Sequence, residues 1–165
     1  MTTTDERQAA DAPAPPQPQL QVVDPLHDCS WSPAFAVGDA VVDAQHSALF
    51  ALLDNLLHAD ESGRRGQLVR ALRFLTAYVT EHFEVEEALT LAVDFPLLED
   101  HRQEHAQFRS TLGKLKAMLA DSVETKALGD AVTAFLLRWV VQHVAGKDQE
   151  IGVHLAKLRA AAAKG

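Results

Sequence analysis

From Asp39 onward, apolar residues recur at alternating steps of three and four, the pattern of a helix with one buried face. The first such stretch, from about Asp39 to Ala59, puts Val42, His46, Leu49, Leu53 and Leu56 on one stripe and stops at the breaker run Asp60-Glu61-Ser62-Gly63. The second follows Gly66 and aligns Leu68, Leu72, Leu75, Val79, His82, Glu86 and Leu89. The third opens at Pro96, whose missing N–H costs nothing in a first helical turn, and carries Leu98, His101, His105, Phe108, Leu112, Leu115 and Leu119. The fourth begins near Asp121 and Ser122, where Asp121 and Glu124 have capping-box spacing; it carries Leu128, Val132, Leu136, Trp139 and His143 until Gly146 interrupts it. A shorter segment, Ile151 to Ala163, reads as helical from its Ala and Leu content. Short connections make sequence neighbours antiparallel, so the chain is predicted to be all-α: an antiparallel up-down-up-down four-helix bundle with a short C-terminal helix.

The N-terminal fifth differs. Pro13, Pro15, Pro16, Pro18, Pro25 and Pro33 fall there among Ala, Gln and Asp, which predicts a disordered tail over residues 1–28 and a single domain over 29–165. A hydrophobic content of 47% with only 6% aromatics suits a Leu- and Ala-built helical core. A formal charge of -8 argues against nucleic acid, whose backbone needs clustered Lys and Arg. The one cysteine, Cys29, cannot form an internal disulfide and reads as a thiol in a reducing compartment. Neither a secretory leader nor a stretch of bilayer length is visible, so the expectation is a soluble, cytoplasmic protein without membrane insertion.

The polar residues that interrupt the apolar stripes are nearly all metal-ligand types. Burying an unpaired polar group costs about 1 to 3 kcal/mol and a charge far more, so His46, His82, Glu86, His101, His105, His143 and Asp148 need a strong common partner. A bound cation is the simplest one. His82 with Glu86, and His101 with His105, are i, i+4 pairs one turn apart on one helix face. Asp148 lies five residues after His143, a step of roughly 140° on an ideal helix, so it points inward only if the helix loosens, which Gly146 permits.

Seven donors exceed the four that satisfy a zinc ion and imply two metals. Glu86 and Asp148, with two oxygens each, are the natural bridges and the histidines the terminal ligands; imidazole suits zinc, copper, iron or nickel alike. Carboxylate-rich ferritin-like shells suit oxygen activation, whereas this imidazole-rich shell supplies less negative charge and suits a centre that binds oxygen and releases it again.

The residues Trp31-x3-Phe35-x2-Gly38, Asp43-x2-His46, His82-Phe83-x2-Glu86-Glu87, Phe95-Pro96-x4-His101-x3-His105-x2-Phe108 and Trp139-x3-His143-x4-Asp148 resemble the bacterial hemerythrin family over roughly Trp31 to Ile151. The resemblance implies two iron ions, with His101, His105 and His143 on one, His46 and His82 on the other, and Glu86, Asp148 and a solvent-derived oxygen as bridges. It also implies that molecular oxygen binds at the vacant position of the second iron. The chain departs from the family pattern at Thr90, Phe95, Val140 and Ile151. Val140 replaces a longer pocket-lining leucine, which predicts a wetter pocket and faster autoxidation.

The function these readings imply is reversible oxygen binding by a carrier, store or sensor rather than an enzyme. A di-iron oxidoreductase acting on nitric oxide, oxygen or peroxide, an iron store or sensor, and a structural zinc bundle are the alternatives. His27, His58 and His154 match nothing in the pattern and read as satisfied core histidines. Glu87 reads first as a solvated helix residue and second as a hydrogen-bond acceptor for a ligating histidine. Trp139, Phe83, Phe108 and Leu98 read as core, and some of them as walls of an oxygen pocket.

Overall fold

Asp39 starts the first helix by accepting hydrogen bonds from the Val41 and Val42 N–H groups on its side chain, the usual means of satisfying donors that have no partner inside the helix. In the computed structural model, which describes residues 29–60, 63–121 and 125–164, this helix α1 spans Ala40–Leu57. It is followed by α2 (Arg64–Ala92), α3 (Leu98–Asp121), α4 (Thr125–Trp139), a π-helical segment (Val140–Lys147) and α5 (Asp148–Ala162). The tail expected over residues 1–28, and His27 with it, lies outside the described residues.

The contacts run antiparallel. Arg65 donates to the Leu119 carbonyl at 3.3 Å at one end of the α2–α3 pair, Phe83 meets Phe108 midway, and Glu86 meets His101 nearer the other end. Likewise Phe135 packs on Phe108, while His143, further along the chain, reaches back to Glu104. The result is the antiparallel four-helix bundle that the periodicity predicts.

Four boundaries differ from those predicted. Helix α2 begins at Arg64, with Gly63 in the left-handed region at φ 76°, so Gly66 lies inside its first turn. Pro96 sits in a turn closed by the Leu98 N–H and the Phe95 carbonyl (3.3 Å), and α3 proper begins two residues later. Asp121 ends α3 rather than opening the fourth helix, and its capping-box partner Glu124 lies outside the described residues. Gly146 does not end the fourth helix: the backbone widens into the π-helical segment and continues without a break into α5, which starts at Asp148 rather than Ile151. Widening trades i→i+4 hydrogen bonds for i→i+5 ones, so the turn continues where a tighter helix would have to stop.

The interior has two apolar parts. The larger joins Leu49, Leu53, Leu68, Leu72, Leu75, Phe83, Phe108, Leu112, Leu128, Val132 and Leu136; the smaller joins Phe95, Ile151 and Leu155, so two of the departures from the family pattern form a compact apolar cap. Between them lies the polar layer. The segment before α1 crosses the bundle and is pinned from several sides. Asp43 accepts from the Val37 and Gly38 N–H groups (2.8 and 3.1 Å), Gln149 donates to the Phe35 carbonyl (2.8 Å) and Arg159 to the Gly38 carbonyl (2.8 Å). Gly152 permits the close approach of α5, since a β-carbon there would lie 3.1 Å from Val37 Cα. No helix among the described residues is long and apolar enough to cross a membrane.

Candidate metal centre

All seven residues singled out by sequence are brought together, and each is at least 96% buried. Helix α1 contributes His46, α2 contributes His82 and Glu86, and α3 contributes His101 and His105, the latter two pairs because a step of four returns to the same face. The π-helical segment supplies His143, and Asp148 follows at its end, its N–H donating to the His143 carbonyl. That i→i+5 bond places the two side chains one turn apart, the loosening that the five-residue spacing requires.

The donors form two groups that share Glu86: Glu86 with His101, His105 and His143, and Glu86 with His46 and His82; within each group the ligand atoms lie within 4.8 Å of one another. Glu86 divides its oxygens between them, with Oε2 at 2.9 Å from His101 Nε2 and 3.2 Å from His105 Nε2, and Oε1 at 3.9 Å from His46 Nε2. Asp148 does the same. Its Oδ1 lies 3.2 Å from His143 Nε2 and its Oδ2 3.2 Å from His46 Nε2. Two acids that each face both groups have the arrangement of bridges.

The donor set fits a cation for a further reason. His46 Nε2, His82 Nε2, His105 Nε2, His143 Nε2, Glu86 Oε1 and both Asp148 oxygens are buried without hydrogen-bond partners. Left so, each costs on the order of 1 to 3 kcal/mol, a penalty that a positive ion among them removes.

Outer contacts fix which nitrogen faces inward. His82 Nδ1–H donates to Gln45 Oε1 (3.0 Å), His105 Nδ1–H to Glu87 Oε1 (2.9 Å) and His143 Nδ1–H to Glu104 Oε2 (2.6 Å), which leaves each Nε2 lone pair free for a metal. Burial also disfavours the protonated form of His46, His82 and His143. It pushes His82 down to about 3 and His143 to about 2, and lowers His46 as well, although Glu86 opposes the shift in all three. For His101 burial also acts downward, but its hydrogen bond to Glu86 and the surrounding carboxylates outweigh it and hold the ring above its ordinary value. Burial likewise opposes ionisation of Glu86, yet the hydrogen bond from His101 and the neighbouring imidazoles hold it well below the carboxylate range; Asp148 is pushed well above, by burial and then by the charge of Glu86.

Aromatic rings wall the layer. Phe83 stacks on His105 (3.7 Å between centroids, 5°), Trp139 on His143 (3.7 Å, 21°) and Tyr78 on His82 (4.5 Å, 28°), while Trp31 stands 6.2 Å from His46. Phe83, Phe108 and Trp139 are thus core as expected, and Leu98 packs on the smaller apolar cap. Thr90, fully buried, donates to the Glu86 carbonyl at 2.7 Å. Val140 is buried and borders a cavity of about 580 Å³ that Trp31, Phe35 and Phe50 also line.

Two expectations need correction. Glu87 is a hydrogen-bond acceptor for His105 rather than simply a solvated residue. His58 is not a core histidine: its side chain is 72% exposed at the end of α1, where the helix runs into solvent, and it lies 3.2 Å from Asp54. His154 is half-buried and satisfied, donating to the Val93 carbonyl at 2.8 Å. Sequence reading missed Gln45, Glu104 and Tyr78. The available signal, a polar residue next to an inward ligand, is one that any solvated helix face also produces.

A four-helix bundle with a two-part histidine and carboxylate site at one end defines a class of cation-binding helical proteins. A family model, the Hemerythrin HHE cation binding domain, matches residues 37–155, and the chain belongs to the hemerythrin family. It is 35% identical over 127 residues to the bacteriohemerythrin of Ralstonia nicotianae, covering 77% of this chain and 88% of that one. It is 32% identical over 121 residues to a hemerythrin-like protein of Naegleria gruberi (73% and 88% covered) and 30% identical over 118 residues to the myohemerythrin of Riftia pachyptila (72% and 86% covered). No solved structure matches the chain.

Proposed function

We propose that this protein binds molecular oxygen reversibly at a pair of non-haem iron ions, as a cytoplasmic carrier, store or sensor rather than an enzyme. His101, His105 and His143 would hold one ion, His46 and His82 the other, with Glu86 and Asp148 shared between them. The observation that carries this reading is the division of both carboxylates between a three-histidine and a two-histidine group. Two ferrous ions held there would supply the reversible electron donation that oxygen binding needs.

The chain's own residues do the rest. Gln45, Glu87 and Glu104 hold three imidazoles with Nε2 inward. The two-histidine group offers one imidazole fewer than the other, which would leave a small molecule room at an ion held there. Phe83, Phe108 and the leucines beyond them are buried and exclude water from that side of the layer. Membership of the hemerythrin family supports the same reading.

The test is to reduce the iron-loaded protein, admit air, remove oxygen and follow the visible spectrum over several cycles. Colour that comes and goes with about two irons per chain is the expected outcome. Steady consumption of nitric oxide or peroxide with a reductant would instead make it an oxidoreductase, and iron gained or lost in each cycle would make it a store.

A further inference from the structure

Every ligating imidazole has a second nitrogen, and the partners of those nitrogens make the two sides of the centre unlike. On the three-histidine side, His105 and His143 donate to the carboxylates of Glu87 and Glu104. On the two-histidine side, His82 donates to the neutral amide oxygen of Gln45, and His46 Nδ1 is buried with no hydrogen bond. A carboxylate acceptor leaves an imidazole more basic and richer in electrons than an amide acceptor does. Electron-rich ligands stabilise the higher metal charge, and hydrogen bonding to ligands is one of the means by which proteins set potentials.

We propose that Glu87 and Glu104 are positioning residues that bias the three-histidine position toward ferric iron, while Gln45 leaves the two-histidine position biased toward ferrous iron. The inference rests on the di-iron reading above. Its consequence is that the side with fewer histidines is also the side more easily reduced. The two carboxylates are not equal. Glu87 also meets Arg102 at 3.3 Å and Arg109 at 3.7 Å, which draw on its charge. Among the described residues Glu104 pairs with no arginine or lysine, and its contact with His143 is the shorter, 2.6 Å against 2.9 Å. Glu104 therefore has the stronger influence.

Glu104→Gln keeps size and an acceptor oxygen while removing the charge, at a side chain 34% exposed to solvent. The measurement is a redox titration of the iron-loaded full chain, resolving the two one-electron reductions from ferric to ferrous iron, with Mössbauer spectra to assign each to a site. Glu104→Gln weakens the ferric preference of the three-histidine step about tenfold, an upward shift of about 59 mV, and leaves the other step in place. Glu87→Gln moves the same step in the same direction by less. Gln45→Glu moves the other step downward and tests the idea with opposite sign, even if the Glu104 variant folds poorly.

Wild-type protein that takes up no iron overturns the di-iron reading and this inference together. Iron-loaded protein whose two steps coincide, or whose steps are the same in Glu104→Gln and Gln45→Glu as in the wild type, overturns this inference alone.

Discussion

Toward the connection between α1 and α2, the inside of the bundle is Leu53, Leu68, Leu72, Leu115, Leu128 and Val132; toward the other end the same helices turn His46, His82, Glu86, His105 and His143 inward. The leucine half lowers its free energy simply by leaving water, at about 25 cal/mol per Å² of apolar surface. The histidine layer is as deeply buried, yet holds unpartnered polar atoms that cost energy until a cation joins them. One half therefore holds the helices together, and the other relies on that rigidity to keep its buried donor atoms in place. The polar layer is also closed from below by Phe95, Ile151 and Leu155, so its geometry does not depend on its own interactions alone.

The sharpest way to break this contrast is to remove a shared donor. Glu86→Ala eliminates a group common to both halves of the site, and iron should be lost from the purified protein, as read by elemental analysis, while circular dichroism remains helical. Next in size is removal of the metal. Iron at a thousandfold excess over its dissociation constant adds about 4 kcal/mol to stability, so chelation should lower the melting temperature measured by calorimetry; an unchanged melting point would mean that the layer is not a metal site.

A cut in the other half should behave oppositely. Leu75→Ala, at a fully buried position, should lower stability by about 2 to 5 kcal/mol in a denaturant titration without changing iron per chain.

Acid should act on the histidine layer of the metal-free protein. His82 and His143 stay neutral in the folded chain down to about 3 and about 2, but take up protons near 6.5 once unfolded. The unfolded state thus binds more protons in between, and the stability these rings contribute, present above pH 6.5, is lost as the pH falls toward 3. Urea midpoints that do not fall over that range would contradict the assignment. The smallest expected effect is at Val140→Leu, which fills space beside the cavity bounded by Trp31 and Phe50 and should slow autoxidation, followed by stopped-flow absorbance.

The seven inward-facing donors were legible because helical periodicity is local: a step of four between His82 and Glu86, or between His101 and His105, fixes a shared face whatever the rest of the chain does. The helices themselves were legible for the same reason, and their ends less so, because a boundary such as that at Pro96 or Gly66 depends on which hydrogen bonds the neighbouring turn completes. Sequence also exposed the conflict at Asp148, whose spacing from His143 does not suit an ordinary helix; only the fold shows its resolution as a π-helical segment that runs through Gly146.

What the tertiary structure alone decided is the set of contacts between helices. Gln45 adjoins His46 in sequence but serves His82, Glu87 adjoins Glu86 but serves His105, and Glu104 adjoins His105 but serves His143. Each of these pairs depends on the rotation and offset of one helix against another, which arise from how whole side-chain surfaces interlock and not from any local repeat. The chain's own order of residues thus determined which groups face inward, and the packing of the helices determined which partner each of them meets.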